Sequence, residues 1–390
     1  MWSLVDVIER RMKEVYITRT AKFLPNNPVD NTEMGDFIGL LNNSQRVKNI
    51  VLRSNGILKR HYAFDKDGNR THTNAQLTYE AIKNLLDNSF KMEDIQLLSV
   101  GTTSPDQVVP SHAVMVHGLM KGSNHIEVNA AAGNCTAGMN AIKYGFMAIK
   151  AGLVENAVVA GSEGIAKWLA QDKFEYELDT ASKIEERPVL AFEKEFLRWM
   201  LSDGAGAFLL EDKPNPNSRV NFKIEWIDGQ SFADSIETCM YAGAEKGDDG
   251  ELIPWSNYQS SEWAEKSIFA IKQDIKLLDK HIVDKGAKSL KAVLERNNCS
   301  AESLDYFLPH ISSFYFKDKV MDGIRAEGVN IPNDKMFTNL ESVGNIGAGS
   351  IYLILDEIAK THDLKSGQKL LLSVPESGRF NYMYALLTVV

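Results

Sequence analysis

Apolar residues recur along the chain with two periods, one typical of helices and one typical of strands. Leu77, Ala81 and Leu85 share one face of a predicted helix at Thr73–Phe90, whereas Val15–Phe23 alternates and predicts a strand. The same patterns predict further strands at Ile95–Val100, Ala157–Gly161, Arg219–Trp226, Asp305–His310, Phe337–Leu340, Lys369–Val374 and Tyr382–Val390. They predict helices at Asn31–Leu41, Ser111–Met120, Glu262–Lys285 (continuing with breaks to Asn297) and Val343–Lys360. This mixture indicates an α/β protein.

The segment Ile126–Glu163 combines the clearest of these patterns with a single cysteine. A short apolar run ends in small residues and Cys135, after which Met139, Ile142 and Phe146 recur at helical spacing. We interpret the segment as a strand, a tight turn, a buried helix and a strand, with Cys135 at the start of the helix. Unpaired N–H groups and the helix dipole favour an anion there, so the position predicts a more acidic thiol. The alternative is a buried structural cysteine.

A second segment repeats this arrangement. Asn345 begins a Gly/Ala-rich helix that leads to the strand Lys369–Val374, as Cys135 leads to the strand Ala157–Gly161. The distances from the helix start to the strand are 22 and 24 residues. A duplicated α/β unit would bring Cys135 and Asn345 to related positions near a pseudo-twofold axis.

The chain is long enough for two such halves. Pro214 and Pro216 interrupt the pattern at Asp212–Ser218, which is the best candidate for a boundary. We therefore expect an N-terminal half at residues 1–212, carrying the cysteine, and a C-terminal half at residues 213–390. A charged segment at Gly164–Leu201, which includes Trp168, Phe174 and Tyr176, is an expected insertion over a pocket or a partner surface.

Composition excludes several classes of function. The net charge of −9 at pH 7 argues against nucleic-acid binding. Three cysteines form neither a disulfide framework nor a metal-ligand spacing, so we expect no metal and a reducing cytoplasm. Residues 1–10 do not form a signal peptide, and no apolar run is long enough to span a membrane. No segment has the spacing of a phosphate-binding loop, so we expect no cofactor.

A cysteine nucleophile needs partners that stabilise charge, and the sequence offers two. His310 ends a predicted strand and Asn345 begins a helix. A cysteine with a later histidine and asparagine is a known nucleophile arrangement, assembled by the fold. Taken singly, His310 is more often a structural residue, and Asn345 is also explained as a helix cap.

Six motifs, in order, resemble those of the β-ketoacyl-acyl-carrier-protein synthase III family of thiolase-fold condensing enzymes. They are Asn55-Gly56-Ile57 with Arg60-His61, Thr102–Asp106 with Pro110-Ser111, Asn129–Met139, Ser202–Ala207, Leu308-Pro309-His310, and Gly344–Ser350. The resemblance covers nearly the whole chain. It implies a thiolase-like five-layer αβαβα fold built from two duplicated halves, a homodimer and a catalytic triad of Cys135, His310 and Asn345.

The resemblance also assigns secondary site residues. It implies that Ser377 and Gly378 belong to a loop that holds the thioester oxygen. It further implies a substrate pocket formed by Val109, Phe314, Glu376 and Arg379, with Val109 reaching the pocket of a partner subunit. Glu376 and Arg379 are expected to form a structural ion pair or to contact an unusual substrate.

Some positions depart from the family pattern. Ile311 and Ser313 stand where the family usually has glutamine and asparagine, and the loop Val374–Phe380 contains few glycines. With the insertion at Gly164–Leu201, these departures favour a specialised pathway over the initiation of fatty-acid synthesis.

The leading hypothesis is a condensing enzyme that takes an acyl group from a CoA or acyl-carrier-protein thioester onto Cys135. It would then join that group to a malonyl or β-ketoacyl thioester, as in dialkylresorcinol-type or polyketide assembly. One alternative is an acyltransferase or cyclase of the same fold, and another is a non-catalytic subunit of a heteromeric synthase. A biosynthetic thiolase is disfavoured because no second cysteine lies near the C-terminal loop.

Overall fold

The computed structural model describes residues 12–39, 45–173 and 196–390. The sequence predictions for residues 1–10, and for Phe174 and Tyr176 of the expected insertion, lie outside these ranges. None of the helices in the described ranges combines the length and the apolar character needed to cross a membrane.

Strands and helices alternate as the sequence predicts. The strands are β1 Tyr16–Phe23, β2 Val29–Asp30, β3 Lys59–Arg60, β4 Leu97–Thr102, β5 Glu127–Ala132, β6 Asn156–Glu163, β7 Gly204–Glu211, β8 Phe222–Ser231, β9 Met240–Tyr241, β10 Ala244–Lys246, β11 Leu252–Pro254, β12 Lys272–Gln273, β13 Tyr306–Pro309, β14 Lys369–Glu376 and β15 Asn381–Val389. The helices are α1 Met34–Ile38, α2 Gln45–Asn55, α3 Asn74–Lys83, α4 His112–Leu119, α5 Ala137–Lys150, α6 Glu262–Glu265, α7 Ile275–Arg296, α8 Lys317–Ala326, α9 Leu340–Val343 and α10 Ser350–Thr361.

The main sheet repeats one strand order twice. Within the described residues, nine strands follow the order β13-β14-β15-β8-β1-β7-β6-β4-β5. In each half a parallel pair (β4–β6 or β13–β14) continues through two antiparallel pairings, to β7 and β1 or to β15 and β8. Met336 forms a parallel bridge with Phe307 of β13. In the first half, the corresponding neighbour of β4 is the strand β5. The predicted duplication is therefore present in the strand order, while the boundary after residue 212 stays a prediction.

Three apolar clusters separate five layers. Helices α3 and α4 cover one face of the first half through residues such as Leu209, whereas its neighbour Phe208 faces helices α5 and α10. In the second half, Leu372 faces the same central helices and Leu371 faces α7 and α8. Successive residues of a strand point to opposite faces, so each sheet half lies between two helix layers. The thiolase-like αβαβα arrangement is confirmed.

One long predicted helix is wrong. Apolar spacing predicts a helix at Glu262–Lys285, but the structure has the short helix α6, the strand β12 and then α7. Asp274 caps α7 by accepting a hydrogen bond from the N–H of Leu277 at 2.9 Å. The predicted strand at Phe337–Leu340 is also wrong: the single bridge at Met336 precedes this range, and helix α9 begins at Leu340.

The central helices α5 and α10 approach each other at glycine positions. A Cβ atom on Gly138 would lie 2.1 Å from the carbonyl oxygen of Ala348, and one on Gly161 would lie 2.3 Å from it. The Tyr352 hydroxyl donates a hydrogen bond to the carbonyl of Gly138 at 2.9 Å. This contact fixes the start of α5 against the start of α10, and so sets Cys135 relative to Asn345.

We predict that Gly138→Ala lowers the free energy of unfolding by about 3 kcal/mol, since the new methyl group would displace backbone rather than a side chain. Chemical denaturation measures the change. Gly118→Ala is the control: it lies in α4 with no atom within 4 Å of the added carbon, and should be neutral or slightly stabilising. Equal stability of Gly138→Ala and the wild type would contradict the close approach.

Candidate active site

Cys135 lies in the turn between β5 and α5, one residue before the helix cap Thr136. The carboxylate of Glu376 already occupies this helix start. It accepts hydrogen bonds from the N–H groups of Asn134 and Thr136, both at 3.2 Å, and from the Thr136 hydroxyl. Burial, together with the negative charges of Glu376 and Glu163, raises the pKa of the Cys135 thiol. The prediction of an acidified thiol is therefore wrong: Glu376 offsets the positive end of the helix.

His310 follows β13 and is held there by its backbone. Its N–H donates to the carbonyl of Ser373 on β14 at 2.8 Å. Only 3% of the residue is exposed. Burial lowers the pKa of the imidazole to about 4, because the surroundings disfavour a charged ring. His310 is thus neutral at physiological pH and can offer one N–H as a hydrogen-bond donor.

Asn345 lies in the turn between α9 and α10. Its N–H donates to the carbonyl of Met200 at 3.1 Å, and its carbonyl accepts from the N–H of Ser202 at 2.9 Å. The side-chain oxygen accepts from the N–H of Gly347 at 2.9 Å. These bonds fix the amide so that its oxygen is engaged and its nitrogen is the remaining donor.

One cavity of about 60 Å³ brings the three residues together. Mostly apolar side chains line the rest of it, with a few polar residues from the loops: Thr103, Glu163, Ile165, Leu197, Met200, Leu201, Met240, Ile271, Gln273, Leu278, Ile282, Ser312, Gly347, Pro375 and Ser377. A second cavity of similar volume lies between β13–β15 and helices α7 and α8. His310 lines both cavities, as do Ile282, Ser312 and Pro375.

Glu163 is a buried carboxylate at this site that the sequence analysis did not single out. It accepts from the hydroxyl of Thr103 at 2.6 Å, the hydroxyl of Ser104 at 2.5 Å and the N–H of Ala348 at 3.1 Å. Burial raises its pKa despite these bonds. Glu163 joins β6, the loop after β4 and the start of α10. Its position at the end of the predicted strand Ala157–Gly161 was the available signal.

The C-terminal loop meets the cavity through alternate residues. Ser377 lines the cavity, whereas Glu376 points to the start of α5. The carbonyl of Gly378 accepts hydrogen bonds from the N–H groups of Cys239 at 2.9 Å and Met240 at 3.2 Å. The expected ion pair between Glu376 and Arg379 does not form within the described part of the chain. The Nε of Arg379 instead donates a hydrogen bond to the carbonyl of Ile236 at 2.8 Å.

The other expected pocket residues lie outside the cavity of this chain. Val109 is 80% exposed. Phe314 packs against Gly56 at the end of α2. Of the two departures from the family pattern, Ile311 is buried beside the second cavity, and Ser313 accepts a hydrogen bond from the N–H of Tyr315 at 3.2 Å. Within the described ranges, no cluster of three histidine, cysteine or carboxylate side chains could hold a metal ion.

A family model matches the C-terminal part of the chain, and individual known proteins match nearly all of it. The family model described as "3-Oxoacyl-[acyl-carrier-protein (ACP)] synthase III C terminal" matches residues 294–379, which include His310 and Asn345. The chain is 27% identical over 372 residues to a β-ketoacyl-[acyl-carrier-protein] synthase III of Oenococcus oeni, covering 93% of this chain and 95% of the relative. It is 26% identical over 366 residues to the synthase III of Clostridium perfringens, again covering 93% and 95%.

Solved structures show the same fold. A cysteine-to-serine variant of Xanthomonas campestris OleA, with bound lauric acid and lauroyl-CoA, superposes with a TM-score of 0.74 at 19% identity. The superposition covers 97% of this chain and 99% of OleA. The synthase III model at the C-terminal end and the synthase III relatives along the whole length show that this chain is similar to the β-ketoacyl-acyl-carrier-protein synthase III family.

Proposed function

We propose that this protein is a condensing acyltransferase that joins two acyl thioesters through a carbon–carbon bond. The observation that carries the proposal is the cavity that Cys135, His310 and Asn345 line together. A nucleophile and two neutral hydrogen-bond donors at one small, largely apolar site suit a reaction in which negative charge develops on oxygen. The names of the synthase III relatives support the same reaction class.

In the first half-reaction, the sulfur of Cys135 attacks the carbonyl carbon of a CoA or acyl-carrier-protein thioester. The bond from that carbon to the donor sulfur breaks, and the donor thiol leaves with a proton. The raised pKa of Cys135 means that the free enzyme holds the thiol protonated. The proton must therefore leave as the bond forms, and no thiolate is exposed to side reactions before the substrate binds.

In the second half-reaction, a malonyl or β-ketoacyl thioester supplies a carbanion, by loss of CO₂ or of a proton. Its carbon attacks the acyl carbonyl, the new carbon–carbon bond forms, and the bond to Cys135 breaks; the sulfur leaves as a thiolate and takes a proton from solvent, which restores the thiol. Neutral His310 and the amide nitrogen of Asn345 donate hydrogen bonds to the enolate oxygen of the second thioester. Because neither donor carries charge at rest, burial of the pair costs less than burial of a charged group would.

We further propose a role in specialised lipid or polyketide assembly of the dialkylresorcinol type, in a reducing cytoplasm. Ile311 and Ser313 support specialisation, since Ile311 makes the space behind His310 more apolar. The lauric acid and lauroyl-CoA bound to OleA support an alkyl chain as the acyl group. An acyltransferase or cyclase that forms an ester or a resorcinol-type ring precursor with the same cysteine is the second candidate.

We propose a homodimer on the basis of the open edge of the sheet. Strand β5 ends the strand order, and its residues Glu127, Ala130 and Ala132 are exposed. Unpaired strand edges are sites of association with another chain. Val108 and Val109, which precede α4, are each 80% exposed, and we propose that Val109 bounds the partner's acyl pocket.

The function is tested with a panel of acyl-CoA donors and a malonyl or β-ketoacyl thioester. We expect intact mass and peptide mapping to show acylation of Cys135, and the second thioester to release a condensed product. His310→Ala should still be acylated while product formation falls roughly 10²–10³-fold, the loss expected for one oxyanion donor. The exposed His125→Ala is the matched control. Acylation of Cys239 or Cys299 instead, or normal condensation by His310→Ala, would refute the assignment.

A second prediction concerns the pH dependence of Cys135. Because its pKa is raised, the thiolate fraction should grow about tenfold per pH unit from pH 6 to pH 9, and the rate of alkylation by iodoacetamide should follow. Glu376→Gln removes a negative charge that disfavours the thiolate, so alkylation at pH 7.5 should be roughly tenfold faster. The exposed Glu302→Gln should leave the rate unchanged. A rate plateau below pH 8 in the wild type would contradict the raised pKa.

A third prediction tests the dimer. Sedimentation should give about twice the 43.5 kDa of one chain. Val109→Phe should shorten the preferred acyl donor and leave the shortest donor unaffected, since overfilling a pocket costs about 1–3 kcal/mol. Val108→Phe, at an equally exposed neighbouring position, should leave the chain-length profile as it is. A monomer, or an unchanged profile in Val109→Phe, counts against the partner pocket.

A further inference from the structure

Gln273 lines the cavity of Cys135 and carries a buried hydrogen-bonding group without a partner among the described residues. The residue lines that cavity and is 6% exposed. Its Nε2 donates to the hydroxyl of Ser377 at 2.9 Å. Its Oε1 is buried and has no hydrogen-bond partner among the described residues. The Ser377 hydroxyl can either accept or donate, so turning the amide over would still leave one end unpaired.

The backbone allows Gln273 little freedom to turn towards water. Gln273 pairs with Met240 in the short antiparallel contact between β12 and β9. The next residue, Asp274, donates its N–H to the carbonyl of Cys239 at 2.8 Å and caps helix α7. Ser377 lies in the C-terminal loop, which is itself bound to β9 through the carbonyl of Gly378. The amide is thus fixed from three sides.

If the cavity held only an alkyl chain, an apolar side chain at position 273 would be more stable than glutamine. Ile271, Leu278 and Ile282 line the same cavity and come from the same stretch of chain. A buried amide oxygen without a partner destabilises the fold, and it is retained most readily where a ligand completes the bond. Such a group discriminates strongly between substrates, because a substrate that lacks the matching hydrogen-bond donor leaves the buried oxygen without a partner.

We propose that Gln273 is a specificity residue that accepts a hydrogen bond from an N–H or O–H group of the bound thioester. The donor is either an amide N–H of the pantetheine arm or a hydroxyl on the acyl chain, and the two share one chemistry. The proposal rests on the proposed function, since it assumes that a thioester enters this cavity. It adds that the cavity reads a polar group as well as an alkyl chain.

The experiment compares three reagents for Cys135. Methyl methanethiosulfonate carries no N–H or O–H, octanoyl-CoA carries the pantetheine amides, and 3-hydroxyoctanoyl-CoA adds a hydroxyl on the chain. Rates of modification are measured by intact mass for the wild type, Gln273→Met and Ser377→Ala. Ser377→Ala removes the partner of Nε2 but keeps the oxygen, and therefore controls for the loss of that bond.

We expect Gln273→Met to react with methyl methanethiosulfonate at the wild-type rate. An amide donor predicts at least a tenfold loss with both CoA thioesters, and a hydroxyl donor predicts that loss with 3-hydroxyoctanoyl-CoA alone. Equal losses with all three reagents, or no loss, would overturn the proposal.

Gln273→Glu keeps an acceptor oxygen in the same shape and provides the second variant if Gln273→Met does not fold. For Gln273→Glu, two rates are each divided by the wild-type rate: acylation by the recognised thioester, and modification by methyl methanethiosulfonate. The two ratios should agree within about threefold. A larger selective loss would overturn the proposal. Normal labelling of the wild type by methyl methanethiosulfonate, without acylation by any thioester, would instead refute the proposed function itself.

Discussion

The site depends on the close approach of two buried helices at their first turns. Gly138 of α5 and Gly161 of β6 leave room for the carbonyl of Ala348, and a larger residue at either position would push the start of α10 away from α5 or from β6. Glu163 reinforces the contact by bonding the loop after β4 to the start of α10. Because protein interiors are close-packed and transmit strain, this contact fixes the cysteine and the asparagine, which lie 210 residues apart in sequence.

Burial then decides the charge state of the site. It raises the pKa of Cys135 and Glu163 and lowers that of His310, so each group is driven towards its neutral form. The helix dipole favours a thiolate at Cys135, but Glu376 occupies the same N–H groups and cancels this effect. A resting site in which the Cys135 thiol and the His310 imidazole are neutral suits a reaction whose charge arises only when the second substrate is activated, since fixed donors then meet charge where it develops.

Local patterns predicted most of the strands and helices, and they predicted the element that carries each active residue. Alternating periods gave the strands β1, β6, β14 and β15 to within two residues, and Cys135 and Asn345 were found at the starts of related helices. The helical spacing after Glu262 misled, because apolar residues continue at similar intervals while the chain forms β12. Asp274, a good cap residue before an apolar helix, was the signal that could have divided it.

The sequence by itself determined the αβ alternation, the repeat of the two halves and the residue types able to carry the chemistry, since these follow from short-range periodicity and from motifs. Only the tertiary structure decided that Glu376 turns to the start of α5, that Arg379 binds the carbonyl of Ile236, and that Gln273 faces the cavity. Each of these outcomes depends on which distant backbone groups lie within about 3 Å of a side chain, and on whether water reaches it. Those distances are set by the packing of layers, which local spacing along a chain does not encode.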